Sequence, residues 1–166
     1  FLIFQMHYTT TGQEETDATQ LGLYVHDAKP ALELKTGSAY TTSLNIPPGA
    51  SDYERQAEFR FSKAAWIYEM SPHMHYRGAR FRYEAIYPDG SRETLLSVPN
   101  YRFEWQTLYR FAEPKRMPAG TRLLCIGAFD NSALNPYNPD PTATVTFGEQ
   151  TFDEMFIGYF NYAEGP

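Results

Sequence analysis

Short apolar and aromatic runs separated by turn signals are the feature that most constrains the fold of this chain. The turn signals recur along all 166 residues: "TTTGQ", "IPPGAS", "YPDGS", "MPAGT" and "NPYNPDP". Runs of this length between Gly, Pro and Asn clusters are typical of strands. Aromatic residues, which suit a pleated sheet, make up 16% of the chain. The pattern predicts an all-β protein, an antiparallel, jelly-roll-like β-sandwich.

Two stretches refine this prediction. The sequence "FRYEAIYPDGSRETLLSV" predicts a hairpin, because Asp89 and Gly90 supply the positive φ angles that a tight turn requires. The stretch "DYERQAEF" has the most helical character in the chain, but a helix of this length is marginal. We therefore expect little or no helix.

Charge and composition exclude several classes of partner. The formal net charge of -6 and a pI near 5.2 argue against a nucleic-acid partner, which a Lys- and Arg-rich surface usually binds. No stretch approaches the roughly 18 apolar residues of a membrane span. The single cysteine, Cys125, cannot form an internal disulfide, and its apolar surroundings predict an inert, buried thiol.

The segment "SPHMHYRG" carries two histidines, His73 and His75, one residue apart. In a helix these positions point to nearly opposite sides, whereas in a strand they share a face and Met74 takes the other. A strand would therefore allow both imidazoles to bind one metal ion, although a pair of ordinary surface histidines is the simpler alternative. The cupin pattern requires a glutamate about four residues later, where this chain has Ala79 and Arg80.

The stretch "GEQTFDEMFIGYFNY", taken together with "HMH", "QMHY" and the "IPPG" turn, strongly resembles the copper type II, ascorbate-dependent monooxygenases. This is the family of peptidylglycine α-hydroxylating monooxygenase and dopamine β-monooxygenase. The resemblance runs over nearly the whole chain. The sequence "FDNSALNPYNPDPTATVTFGEQTFDEM" resembles bacterial members of this superfamily, which are often fused to other redox modules, more than it resembles the animal enzymes.

The resemblance implies that His73, His75 and Met155 bind the catalytic copper. Two imidazoles and one thioether suit both Cu(I) and Cu(II), whereas zinc prefers nitrogen, thiolate and oxygen donors. Three protein ligands leave a position open for O2. The implied activity is hydroxylation of a substrate C–H bond, with ascorbate or a similar one-electron donor as reductant.

The resemblance also implies a domain organisation. Residues 1–29 would be the C-terminal remnant of a first, electron-transfer copper domain of β structure, residues 30–37 a connector, and residues 38–166 the catalytic-copper domain. His7, in "QMHY", is then a candidate ligand of the second copper. Its two partner ligands would lie in the missing upstream domain, so we expect no sustained turnover from this chain alone.

Departures from the family pattern concern the substrate. Peptidylglycine hydroxylases hold a carboxylate with an arginine and an asparagine where this chain has Ser71 and Ile157, and only the tyrosine at Tyr159 is retained. We expect Ile157 and Tyr159 to line a less polar wall beside the copper and to bind a neutral or aromatic small molecule. Arg77 or Arg80 is the alternative source of a compensating positive charge.

Two functions remain open at this stage: a copper-dependent monooxygenase domain, or a non-catalytic copper-binding or interaction β-sandwich. Copper and oxygen chemistry of this family suggests a periplasmic or extracellular location. We expect the other candidate residues to be structural, with His26 at the surface and Met70, Met74, Trp66 and Trp105 in the core.

Overall fold

A computed structural model describes residues 2–4, 6, 8 and 10–165 of the chain. The chain divides into two compact units, Phe1–Ala31 and Leu32–Pro166. Within the described residues of the first unit there is neither strand nor helix, and all of them are exposed. The β structure expected for residues 1–29 is therefore not found among the described residues, because a strand needs a hydrogen-bonded neighbour and no described residue of this unit supplies one. His7 lies outside the described residues.

The second unit consists of ten strands, and its described residues include no helix. The strands are β1 (Lys35–Thr41), β2 (Asn45–Ile46), β3 (Tyr53–Arg60), β4 (Ala65–His73), β5 (Gly78–Ile86), β6 (Arg92–Val98), β7 (Tyr109–Met117), β8 (Arg122–Phe129), β9 (Val145–Thr146) and β10 (Phe156–Glu164).

Eight of these strands build two antiparallel sheets, ordered β1-β10-β4-β7 and β3-β8-β5-β6, while β2 pairs with β9. The two sheets pack face to face as a sandwich, so the predicted all-β sandwich is confirmed. β1 begins inside the stretch interpreted as a connector. The helical alternative for "DYERQAEF" is wrong, because Tyr53–Arg60 is β3 and its side chains alternate between half-buried and exposed.

Strand β10 shows how the core forms between the sheets. Phe156, Gly158 and Phe160 point inward and are buried. The ring of Phe156 stacks on that of Phe81 from the opposite sheet, with centroids 5.0 Å apart. A Cβ at Gly158 would lie 2.3 Å from the Sγ atom of Cys125, so the sheets can approach this closely only over a glycine. Burial also raises the pKa of the Cys125 thiol well above its usual range, which confirms the inert, buried thiol.

The predicted hairpin is present between β5 and β6. Only Gly90 has a positive φ, of 87°, whereas Asp89 does not, which corrects the expectation for that residue. The Asp89 carboxylate instead accepts a hydrogen bond from the Ser91 backbone N–H at 2.9 Å. The Tyr87 backbone N–H donates to the Ser91 carbonyl at 2.9 Å, which leaves a three-residue loop in which glycine alone takes the left-handed conformation.

Most of the structural interpretations of single residues hold. Met70 and Met74 are fully buried, His26 is exposed, and Trp66 is half-buried. Trp105 is 72% exposed, so its assignment to the core is wrong. It lies in the loop of residues 99–108 between β6 and β7, outside both sheets.

Candidate metal centre

The two histidines of the "HMH" segment lie where β4 ends and the chain turns toward β5. His73 is the last residue of β4. Met74 is fully buried, and the hydroxyl of Tyr101 holds its backbone, accepting from the N–H at 3.0 Å and donating to the carbonyl at 2.7 Å. With Met74 fixed in the core, the rings of His73 and His75 fall on the same side, with centroids 5.2 Å apart and planes at 86°.

A buried carboxyl group fixes the next part of this turn. Glu154 is fully buried and accepts hydrogen bonds from the backbone N–H groups of His75, at 2.8 Å, and Arg77, at 2.6 Å. Burial raises the pKa of Glu154 to about 8, while these two bonds and the charge of Arg77 act in the opposite direction. Glu154 therefore joins the "DEM" segment directly to the "HMH" segment.

Both imidazoles use their Nδ1 atoms to contact oxygen acceptors. The Nδ1 atom of His73 lies 2.6 Å from Oε1 of Gln106, and that of His75 lies 3.1 Å from the carbonyl oxygen of Asp153. The Gln106 amide nitrogen donates to the Phe103 carbonyl at 3.0 Å, which leaves its oxygen for His73. Because an amide or backbone carbonyl oxygen only accepts, each Nδ1 carries the proton, and the lone pair of each neutral ring is on Nε2.

The protonation state of both rings favours metal binding. Burial lowers the pKa of His73 and of His75 below the usual value of 6.5. Hydrogen bonds to the Gln106 side chain for His73, and to the Asp153 and Gln150 backbones for His75, offset only part of this effect. At neutral pH the rings are therefore neutral. A neutral imidazole with its Nδ1–H on a fixed acceptor is the form in which histidine binds metals.

The remaining predicted site residues lie on or beside the same sheet face. Ile157 of β10 pairs with His73 of β4, and Tyr159 pairs with Ser71. The Tyr159 and His73 rings are 6.3 Å apart, and Tyr159 is 38% exposed. Met155 is half-buried and immediately precedes β10. The structure thus brings the segment before Met155 into contact with His75, which is buried, through Asp153 and Glu154.

Neither arginine proposed as a source of compensating charge is free to act. Arg77 is only 1% exposed, and its guanidinium donates to the Asn131 side chain and to the Phe152 carbonyl. Arg80 forms ion pairs with Asp52 at 2.9 Å and with Glu54 at 3.2 Å. The alternative that either residue binds a substrate carboxylate is therefore not supported.

Residues 2–4, 6, 8 and 10–165 contain no cluster of three or more His, Cys, Asp or Glu side chains able to hold a metal. The expected ligand set contains two histidines and a thioether, so it does not depend on such a cluster. Its donor types, two imidazoles and one thioether, are ones that copper accepts, and a half-buried methionine follows the segment that contacts His75.

Three residues that support the two histidines were not identified from the sequence. They are Gln106, Phe103 and Glu154. Gln106 and Phe103 belong to the exposed loop of residues 99–108, and no local pattern marks either one. Glu154 could have been noticed, because an acidic residue two positions before a buried strand needs partners for its carboxyl group.

No protein-family model and no curated protein sequence matches the chain. The described residues also include no helix of the length and apolarity needed to span a membrane.

Proposed function

We propose that this chain is the catalytic-copper domain of a copper-dependent monooxygenase, with His73, His75 and Met155 as the copper ligands. One observation carries the proposal: both imidazoles have their Nδ1 atoms bonded to fixed acceptors, at 2.6 Å and 3.1 Å, and so present Nε2 lone pairs from rings 5.2 Å apart. Most metal-binding histidines are oriented by a hydrogen bond of this kind, from the ring nitrogen that does not bind the metal.

The donor set argues for copper over other metals. Imidazole and thioether are soft enough for Cu(I), and the two nitrogens also suit Cu(II). A copper bound here would supply oxygen activation for hydroxylation of a C–H bond, with ascorbate or a similar one-electron donor as reductant. Ile157 and Tyr159 would form the adjoining wall for a small-molecule substrate.

The proposal includes a longer protein. His7 is the candidate ligand of a second, electron-supplying copper, whose other ligands would belong to an upstream domain, and fused redox modules would be further partners. A periplasmic or extracellular location follows from the same resemblance. The chain alone would then bind one copper and would not sustain turnover.

The metal assignment can be tested with two methionine variants that differ in position only. Met155→Leu should weaken Cu(I) binding in a competition titration and remove the sulfur contribution from the copper X-ray absorption spectrum. Met74→Leu is the matched control, because Met74 is fully buried in the core. Its replacement keeps the side-chain volume and leaves the Met155 sulfur able to bind copper. Equal spectra for both variants would remove Met155 from the site.

The reaction can be tested with the reduced, copper-loaded chain, ¹⁸O2 and a panel of small aromatic substrates. Hydroxylation takes two electrons and one Cu(I) supplies only one, so ascorbate is added as the source of the second electron. Incorporation of one ¹⁸O atom into product, without sustained turnover, is the expected result. Copper binding without any labelled product would favour the non-catalytic copper-binding alternative. Sustained multiple turnover would contradict the need for a second copper.

A further inference from the structure

An open cleft lies beside the residues that follow the "HMH" segment, within the second compact unit. Its volume is about 580 Å³, which is within the range of sites for small molecules. The lining residues include four aromatic residues and one residue of each charge: Tyr76, Tyr101, Phe103, Tyr137, Arg102 and Asp130. We call it the aromatic cleft.

Phe103 connects this cleft to the candidate metal centre. Its ring contacts that of Tyr76 edge to face, with centroids 4.8 Å apart, and that of His75 at 6.0 Å. The carbonyl of Phe103 also accepts from the Gln106 amide that orients His73. A ligand in the cleft would therefore touch a side chain that packs on one of the candidate copper ligands.

Arg102 is an available cation at this cleft. It is exposed, and its Nη1 atom donates to the Tyr137 hydroxyl at 2.6 Å. Within the part of the chain that the structure describes, Arg102 forms no ion pair with a carboxylate. A guanidinium has further N–H donors in a planar fork, and that fork matches a carboxylate.

The acidic lining residue does not neutralise Arg102. One carboxylate oxygen of Asp130 accepts from the backbone N–H of Ser132 at 2.9 Å, which holds Asp130 in its own loop. Asn135 fixes the same loop by donating to the carbonyls of Tyr76, at 3.2 Å, and Asp130, at 2.8 Å. The walls of the cleft are thus tied together by hydrogen bonds, and its shape is largely preformed.

We propose that the aromatic cleft binds an aromatic carboxylate, with the ring of the ligand against Phe103 and Tyr137 and its carboxylate on Arg102. The identification of this ligand as the substrate of the metal centre rests on the proposed function, whereas binding itself does not require copper. The proposal narrows the expected neutral or aromatic substrate to an aromatic anion, because Arg102 supplies the positive charge that Arg77 and Arg80 cannot.

The test uses the metal-free chain and three probes of nearly equal size: phenylacetate, its neutral amide phenylacetamide, and the non-aromatic cyclohexylacetate. Binding is measured by titration calorimetry and by shifts of backbone amide signals of residues 99–108 in NMR spectra. Phenylacetate should bind about tenfold more tightly than either other probe, since a charge-assisted hydrogen bond and an aromatic contact each contribute roughly this factor.

Arg102→Gln should weaken phenylacetate binding by about tenfold and leave phenylacetamide binding unchanged. Arg116→Gln is the matched control, because Arg116 is an exposed arginine of β7 outside the cleft and its replacement changes the net charge equally. Phe103→Leu should remove the preference for phenylacetate over cyclohexylacetate. Equal effects of the two arginine variants, or equal affinity for all three probes, would overturn the proposal.

Copper titrations of the same variants separate this inference from the proposed function. Arg102→Gln should bind Cu(I) as the unmodified chain does, because Arg102 makes no contact with the candidate ligands. Selective phenylacetate binding by a chain that fails to bind copper would leave the cleft as a ligand site and refute the metal centre. Copper binding without selective phenylacetate binding would refute the cleft alone.

Discussion

The Nδ1 atom of His73 lies 2.6 Å from the Oε1 atom of Gln106, a residue 33 positions further along the chain. The contact joins the end of β4 to the loop of residues 99–108. Since Gln106 also donates to the Phe103 carbonyl at 3.0 Å, its amide has one orientation that satisfies both bonds. The loop therefore sets the tautomer of a candidate metal ligand while remaining outside both sheets.

Gln106→Leu should lower the affinity for Cu(I) by about 10- to 100-fold, because removal of a second contact frees the His73 ring to rotate and change tautomer. The measurement is a competition titration with a Cu(I) chelator. Gln56→Leu is the control, since Gln56 is exposed on β3 and its side-chain amide donates to Glu54 at 3.2 Å, away from the histidines. An unchanged affinity of Gln106→Leu would show that His73 does not bind copper through Nε2.

Tyr101→Phe should reduce the free energy of unfolding by about 1–3 kcal/mol, because both the backbone N–H and the carbonyl of buried Met74 lose their partner. Chemical denaturation gives the value. Tyr40→Phe removes a hydroxyl from a side chain that is 60% exposed, and should change stability by no more than about 0.5 kcal/mol. Equal stability of the two variants would refute this account of the turn.

Glu154→Gln should also destabilise the fold by about 1–3 kcal/mol, because one of the two backbone N–H groups would then face an amide nitrogen that cannot accept. Glu58→Gln, at an exposed position of β3, is the control. NMR shifts of the His75 and Arg77 amides should change in Glu154→Gln only. If those signals stay in place, the carboxylate does not hold the turn.

The free energy of unfolding of the metal-free chain should decrease as the pH falls, in part because of His73 and His75. Burial lowers the pKa of His73 and His75 in the folded state below 6.5, so the unfolded chain binds more protons once the pH drops through that value. Unfolding measured at pH 7.5 and pH 5 should show a smaller loss in the double variant His73→Gln/His75→Gln. His26→Gln, at an exposed position, should behave as the unmodified chain does.

The strand pattern and the local spacing of residues determined the fold class. In β10, buried and exposed residues alternate, and a turn sequence follows Tyr87. Both patterns extend over only a few residues, so the sandwich and its hairpin could be predicted without knowing which strands pair. The same local rule predicted that Met74 would enter the core, whereas β4 ends at His73 and His75 lies beyond the strand, 4% exposed.

The tertiary structure alone decided what surrounds the two histidine rings. Gln106 and Asp153 reach the histidines across 33 and 78 residues of sequence, through a loop conformation and a strand register that no local pattern specifies. The exposure of Trp105 and the burial of Arg77 have the same origin, since each depends on how a loop packs against the sheets. Side-chain periodicity is a property of the backbone, whereas these contacts depend on packing between distant segments, and sequence spacing does not encode them.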